Sequence, residues 1–312
     1  MDTNRTNMAT LFNTFRVAFT EGMQRGPAIP AELQGLYMTL ADLAMTVPSS
    51  GAATVHAWLN QIPGFREWTG DRQKKNISTD KLEVVNADFE DTVGVARNDI
   101  LDDQYGLYAP LMANMGIEAS DDCLWLDRAV AALLANGKWI DDKAFFVANR
   151  VYGANTINNV GTGALTQITL EAAAVLMAGY KGPENNTLNV IPVYLMVGPS
   201  LRGTAWDLVK NQFVSSGTGK GGNIENRCRG LAGLRVSPKL TGAYANYWYL
   251  LGVKGGMKAV AVQKRQAPQF TSKDQASDDN VFFNKEFIYG ADARGEAFLT
   301  FPHLAYFSTG AA

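Results

Sequence analysis

Two histidines, two cysteines, one glycine-rich loop and four Asp-Asp pairs are the groups in this 312-residue sequence whose types could do chemistry. His56 and His303 lie far apart, with no H-x-x-x-H pattern and no Cys/His cluster, so the spacing of a zinc site is missing. A Ser-His-Asp triad assembled from distant residues stays open, but no G-x-S-x-G elbow is present to hold a nucleophile. Gly217 to Gly222 reads G-T-G-K-G-G. A phosphate loop needs a glycine five residues before Gly219 and a hydroxyl residue after Lys220, and these places hold Val214 and Gly221. The segment reads as a surface loop. Paired carboxylates can hold calcium or move protons. Asp102-Asp103, Asp121-Asp122, Asp141-Asp142 and Asp278-Asp279 all lack calcium-loop spacing and read as solvated charge or ion pairs. Cys123 and Cys228 read as reduced thiols. No catalytic residue, metal or cofactor is expected.

The composition fits an ordinary globular chain, with 46% apolar and 19% charged residues. A formal net charge of −2 gives no basic excess to pull the whole chain onto nucleic acid or an anionic membrane. The length suggests two subdomains. The polar start M-D-T-N-R-T-N-M lacks a signal-peptide core, and no run of 18 apolar residues suggests a membrane span.

The elements that must position these residues follow from periodicity. Met8, Leu11, Phe12, Phe15, Phe19 and Met23 stand three or four apart, which predicts an amphipathic helix stopped by Gly26 and Pro27. A second short helix is expected over 33–46. The stretch 65–95, with Val84, Phe89, Val93 and Val95 among polar residues, predicts a long β-hairpin with a polar tip. Such a hairpin is marginal alone and needs a surface to lie on. A long helix is expected over 108–136, ended by Gly137 and weakened at Gly116 and Ser120-Asp121, which leaves open a first part that is kinked or separate. Helices are expected over 169–180, with Thr169 as cap, and 199–212, with Ser200 as one cap. Between them V-I-P-V-Y-L-M-V predicts a buried strand, so this part reads as α/β. Further strands are expected at 234–236, 247–253 and 259–267, and a hairpin from 281–289 and 297–306 turning at 292–295.

Two blocks carry a resemblance. W-L-N-Q-I-P-G-F-R-E-W-T-G-D-R from Trp58, with F-E-D-T-V-G-V-A-R-N-D-I-L-D-D and Y-G-L-Y-A-P-L-M-A-N-M-G downstream, forms the first. D-D-N-V-F-F-N-K-E-F-I-Y-G, from Asp278 to Gly290, forms the second. Both resemble the Mu-like phage major head subunit family, the shell proteins of tailed-phage heads. The resemblance implies an α+β chain with the Hong Kong 97-like capsid fold. Its expected parts are an N-terminal arm (1–53), an extended hairpin loop (54–98), a peripheral domain with a spine helix (99–160), an axial domain (161–258) and a return to the peripheral domain (259–312).

The implied function is a major capsid protein, not an enzyme. It would form hexamers and pentamers that close into an icosahedral head around double-stranded DNA. The partners implied are copies of itself, a scaffold, a portal, decoration proteins and weakly held DNA, with no membrane. The implied location is the virion, after assembly in the bacterial host cytoplasm. Aromatic and arginine side chains are the usual interface anchors. The expected inter-subunit contacts are therefore Phe12 and Phe15 in the arm, Trp58, Phe65, Trp68, Arg72, Lys74 and Lys75 in the hairpin, and Phe282, Phe283 and Phe287 in the peripheral domain. Two alternatives are another virion structural protein, from tail or baseplate, and an enzyme with an unfamiliar site.

Overall fold

A computed structural model describes the backbone of residues 2–59, 79–102, 106–182, 185–215, 223–275 and 277–311, with side chains described over 10–56, 81–100, 102, 106–182, 185–214, 225–275 and 277–311. The chain opens with helix α1 (Asp2–Arg25), as the three-four spacing of its aromatic residues predicts. Gly26 stops it by taking φ 60°, a left-handed conformation that glycine adopts without strain. Then come α2 (Leu40–Leu43), β1 (Ala44–Pro48), β2 (Ala53–Leu59), β3 (Thr79–Val85), β4 (Ala87–Ala96), α3 (Arg97–Leu101), α4 (Tyr108–Glu118), a π-helical turn over 121–125, and α5 (Leu126–Ala135). A small hairpin, β5 (Arg150–Tyr152) and β6 (Asn155–Ile157), leads to β7 (Val160–Gly161), α6 (Gln167–Ala178), β8 (Pro192–Val197), α7 (Arg202–Val209), β9 (Phe213–Ser215), β10 (Asn223–Glu225), β11 (Gly233–Val236) and β12 (Trp248–Gly252). The chain ends with β13 (Val260–Lys273), α8 (Asp279–Asn284), β14 (Glu286–Leu299) and β15 (Ala305–Ser308).

Two sheets organise these elements. One has strand order β1-β13-β14-β4, and the other β11-β8-β12-β15-β7. In the first, β13 and β14 form an antiparallel arm paired from Val260↔Leu299 to Lys273↔Ile288. Fourteen residues give each strand a length of about 46 Å at roughly 3.3 Å per residue. Alternate residues of β14 are buried, which is the period of a strand covered on one face. Phe287, Tyr289 and Ala291 meet α1 and α4, and Ala293 and Ala297 join the cluster that holds Trp125. In the second sheet β8 and β12 are central, and Trp248, Tyr249, Leu250 and Leu251 are all nearly inaccessible. A single apolar cluster contains Val260 and Val262 of the first sheet together with Leu195 and Trp248 of the second. The polypeptide crosses between sheets through Thr300–Leu304, where Thr300 is fully buried and His303 is 6% exposed.

Several sequence expectations need correction. Residues 33–46 are not one helix. Gly35 takes φ 80°, Thr39 caps the short α2 by accepting from the Asp42 amide at 3.2 Å, and Ala44–Pro48 pairs with β13. The hairpin is not built from 65–95. Its stem is β2 with β3, and β4 instead joins β14 across ten register pairs. The helical pattern over 108–136 divides at its expected weak point, Ser120-Asp121, into two helices. Ser120 adopts an extended conformation (φ −67°, ψ 161°), and the second helix ends at left-handed Asn136 rather than at Gly137. Thr166, not Thr169, is the cap of α6, and the two threonines bond reciprocally as a capping box. α7 is preceded by a 3-10 turn over Pro199–Leu201, and Ser200 makes no cap bond. Residues 292–295 are no turn but the middle of β14. Gly295 there lies against the Trp125 ring and the Gln263 carbonyl, leaving no room for a Cβ.

Candidate inter-subunit surface

The N-terminal helix is held by its own chain. Phe12 meets Phe287 with ring centroids 5.1 Å apart, and Phe15 meets Tyr289 at 5.6 Å. Helices α1 and α4 approach so closely that a Cβ on Gly22 would overlap the Ala113 carbonyl, and one on Gly116 the Phe19 carbonyl. Two glycines thus permit backbone-to-backbone contact that any other residue would prevent. Phe15 and Phe287, each 2% exposed, have their apolar area occupied within this core, and Phe12 is half-buried against it.

At the far end of the β13–β14 arm, α8 does the opposite. Val281 points inward, while Phe282 and Phe283 are 72% and 75% exposed. The Asn280 side-chain amide pins this tip by donating to the carbonyls of Lys273 at 2.9 Å and Glu286 at 2.7 Å. Lys285, left-handed at φ 51°, turns the chain back into β14. The aromatic pair therefore stands on a firm base but contacts little apart from itself, with centroids 5.0 Å apart. An exposed apolar pair in such a setting is what a protein contact uses.

The hairpin stem pairs Ala53↔Val85 through Leu59↔Thr79. It lies on the face of the first sheet that presents Ala261 and Phe298, touching them through Val84 and Leu82. The opposite face carries Val260 and Val262 against the α5 core. Phe65, Trp68, Arg72, Lys74 and Lys75 lie outside the described residues, as does the loop 216–222. Of Trp58 the backbone alone is described, opposite Asp80.

A surface groove of about 430 Å³ runs beside the π-helical turn, lined by Ile29, Leu33 and Leu126 with Glu118, Asp122 and Asp127. Lys239 at its edge is bound to Asp127 at 2.5 Å. The thiol of Cys123 also faces it, and burial pushes that group's pKa up, which makes it a poor nucleophile.

Several of the groups whose types suggested chemistry have structural partners among the described residues. Asp122 accepts from the Leu40 amide at 2.7 Å, Asp121 pairs with Lys264 at 2.5 Å, and Asp141 binds the buried Arg150. Among the described residues no group of three His, Cys, Asp or Glu side chains could hold a metal ion. His56 bonds Gln263 and His303 is buried between the sheets, so the two histidines serve different places. Sequence reading missed Gln263, the hydrogen-bond partner of His56, and the Asn86 and Ser49 side chains linked to it in turn. The one available signal was a glutamine inside the apolar run V-A-V-Q of β13.

Comparison with known proteins agrees with this architecture. The family model described as "Mu-like prophage major head subunit gpT" matches residues 8–162, 123–240 and 234–311. The Mu-like prophage FluMu major head subunit of Haemophilus influenzae is 26% identical over 299 residues, covering 95% of this chain and 71% of that protein. The major capsid protein of Escherichia phage Mu is 24% identical, covering 96% of this chain and 72% of that protein. A chain from the procapsid of bacteriophage JBD30 superposes with a TM-score of 0.54 at 24% identity, over 97% of this chain and 75% of that one. A chain from the capsid of an empty GTA particle gives 0.54 at 11% identity, over 92% of each chain, a likeness of fold alone. A two-sheet α+β fold of Hong Kong 97 type, matched along nearly its whole length by one family model, makes this chain a member of the Mu-like prophage major head subunit family, structural capsid proteins rather than enzymes.

Proposed function

We propose that this chain is the repeating subunit of an icosahedral phage head, forming hexamers and pentamers that close around double-stranded DNA. The observation that carries the reading is the major-head-subunit family match running along the chain. Shell closure needs one subunit to make several unlike contacts, and rings of heterologous contacts provide the capsomers. In this reading the first sheet with α1 and α4 is the peripheral part, the second sheet is the axial part, and the β2–β3 hairpin reaches a neighbour.

The contacts proposed are Phe282 and Phe283 at the arm tip, and Trp58, Phe65, Trp68, Arg72, Lys74 and Lys75 in the hairpin. The acidic groove of Glu118, Asp122 and Asp127 has the charge and apolar lining to receive that basic, aromatic segment. In this reading the groove that receives it belongs to a second copy. Phe12, Phe15 and Phe287 support this surface from within. A scaffold, a portal, decoration proteins and weak contact with DNA complete the proposed partners, with assembly in the host cytoplasm.

Electron microscopy and sedimentation velocity of the purified full chain test the reading. Rings of five or six subunits, tubes or closed shells are expected, alone or with a scaffold. A chain that stays monomeric with and without its scaffold overturns it.

A further inference from the structure

The root of the hairpin contains a buried polar cluster that the fold alone does not require. Gln263 of β13 is fully inaccessible, and Asn86 and Ser49 are 6% and 8% exposed. The Gln263 amide nitrogen donates to the Val84 carbonyl at 3.0 Å and to Asn86 Oδ1 at 2.8 Å. Asn86 Nδ2 donates to the Gly51 carbonyl at 2.8 Å and to Ser49 Oγ at 2.9 Å. Ser49 Oγ lies 2.7 Å from Thr54 Oγ1. His56 Nε2 lies 2.9 Å from Gln263 Oε1, and its ring stacks on Phe298 at 4.6 Å between centroids.

The directions of these bonds are forced. The Val84 and Gly51 carbonyls can only accept, so both amide nitrogens must donate to them. Gln263 Oε1 and Asn86 Oδ1 are then acceptors. His56 Nε2 must carry a proton, whether the ring is neutral or charged. The partners come from five segments meeting at the root: Ser49 after β1, Thr54 and His56 on β2, Val84 on β3, Asn86 before β4 and Gln263 on β13.

The apolar contact beneath the stem is thin, with Val84, Ala261 and Phe298 as its buried members. Apolar contact is non-directional and lets a two-stranded ribbon swivel. Hydrogen bonds with fixed donors and acceptors do not. We propose that the Gln263, Asn86 and His56 cluster is a lock that fixes the angle at which the hairpin leaves the four-stranded sheet. Its consequence for assembly rests on the shell-subunit reading, because that angle sets where the hairpin tip meets a neighbour.

Hydrogen exchange of the stem amides, 53–59 and 79–85, in the unassembled full chain tests the lock, with β8 and β12 as internal references. Three variants are compared. His56→Phe keeps a ring on Phe298 but loses the donor. His56→Gln keeps a donor at the same reach but loses the ring. Gln263→Leu removes the hub. The expected result is faster stem exchange, on the order of tenfold, in His56→Phe and Gln263→Leu, with near-native exchange in His56→Gln. Fast exchange in His56→Gln with native exchange in His56→Phe would mean that ring stacking holds the stem, and the lock is overturned. Native exchange in all three overturns it as well. If Gln263→Leu does not fold, the His56 pair decides. A stem that loosens as expected in a chain that builds no rings or shells leaves the lock standing and removes the capsid reading.

Discussion

Phe15 of the first helix meets Tyr289 of the long strand edge to face, with ring centroids 5.6 Å apart and planes at 89°. Edge-to-face geometry is the favoured one for an aromatic pair, and here it joins the beginning of the chain to a strand more than 270 residues later. The helix is therefore part of the folded subunit. Phe15→Ala is expected to cost about 3–5 kcal/mol, the usual range for a buried phenylalanine. Denaturant unfolding would measure the loss, and proteolysis at Arg16 and Arg25 would show whether the helix detaches first.

The glycine contact between α1 and α4 predicts a second effect. Gly116→Ala places a methyl group on the Phe19 carbonyl, and overpacking of this kind costs about 1–3 kcal/mol. Gly203→Ala, on α7 with open space around it, is expected to be neutral or to stabilise by up to about 1 kcal/mol. Equal effects at the two sites, in thermal unfolding, would show that helix propensity rather than close approach governs both.

His303 predicts a pH dependence. Burial between the sheets, with Lys254 adding repulsion, depresses its pKa to about 4. The neutral form is thus the folded form. The unfolded chain, with a histidine pKa near 6.5, takes up a proton that the folded chain refuses. Stability from this residue is complete above about pH 6.5 and is lost as pH falls towards 4, a loss of up to about 3 kcal/mol. Denaturant midpoints measured from pH 7 to 4 should fall less steeply in His303→Phe than in the native chain. Parallel slopes would assign the acid sensitivity to other groups.

Phe282→Ser with Phe283→Ser should leave unfolding within about 0.5 kcal/mol of native, because the rings rest on little else in the chain. Particle yield by electron microscopy should fall. Unchanged assembly would remove the arm tip from the interface.

Charge reversal tests the groove. Lys74→Glu with Lys75→Glu is expected to weaken association, and Glu118→Lys on the partner copy to restore part of it. Sedimentation of mixed variants reads this directly. Restoration by an unrelated lysine substitution would mean that net charge, not the groove, is responsible.

The parts legible in the sequence are those with local causes. The first helix follows from aromatic spacing and the Gly26 stop, and β8 from a continuous apolar run. The parts that were not legible depend on distant partners. Residues 44–46 look helical by spacing, yet β13 supplies a sheet edge along which they pair as a strand. Residues 292–295 contain a glycine that suggests a turn, but that glycine exists to accommodate the Trp125 ring from another element. The aromatic residues of the candidate surface were visible as types. Their division into buried Phe15 and Phe287 and exposed Phe282 and Phe283 was not, because it depends on which face of the sheet the helices cover.

The apolar core that spans both sheets has a mechanical consequence. With Val260 and Trp248 in one close-packed cluster, the sheets cannot rock against each other without opening voids. Outward pressure on such a subunit passes through it as through a stiff plate. The bending that a curved wall requires is then displaced from this core to the contacts between subunits, of which the exposed arm tip at Phe282 and Phe283 is the candidate.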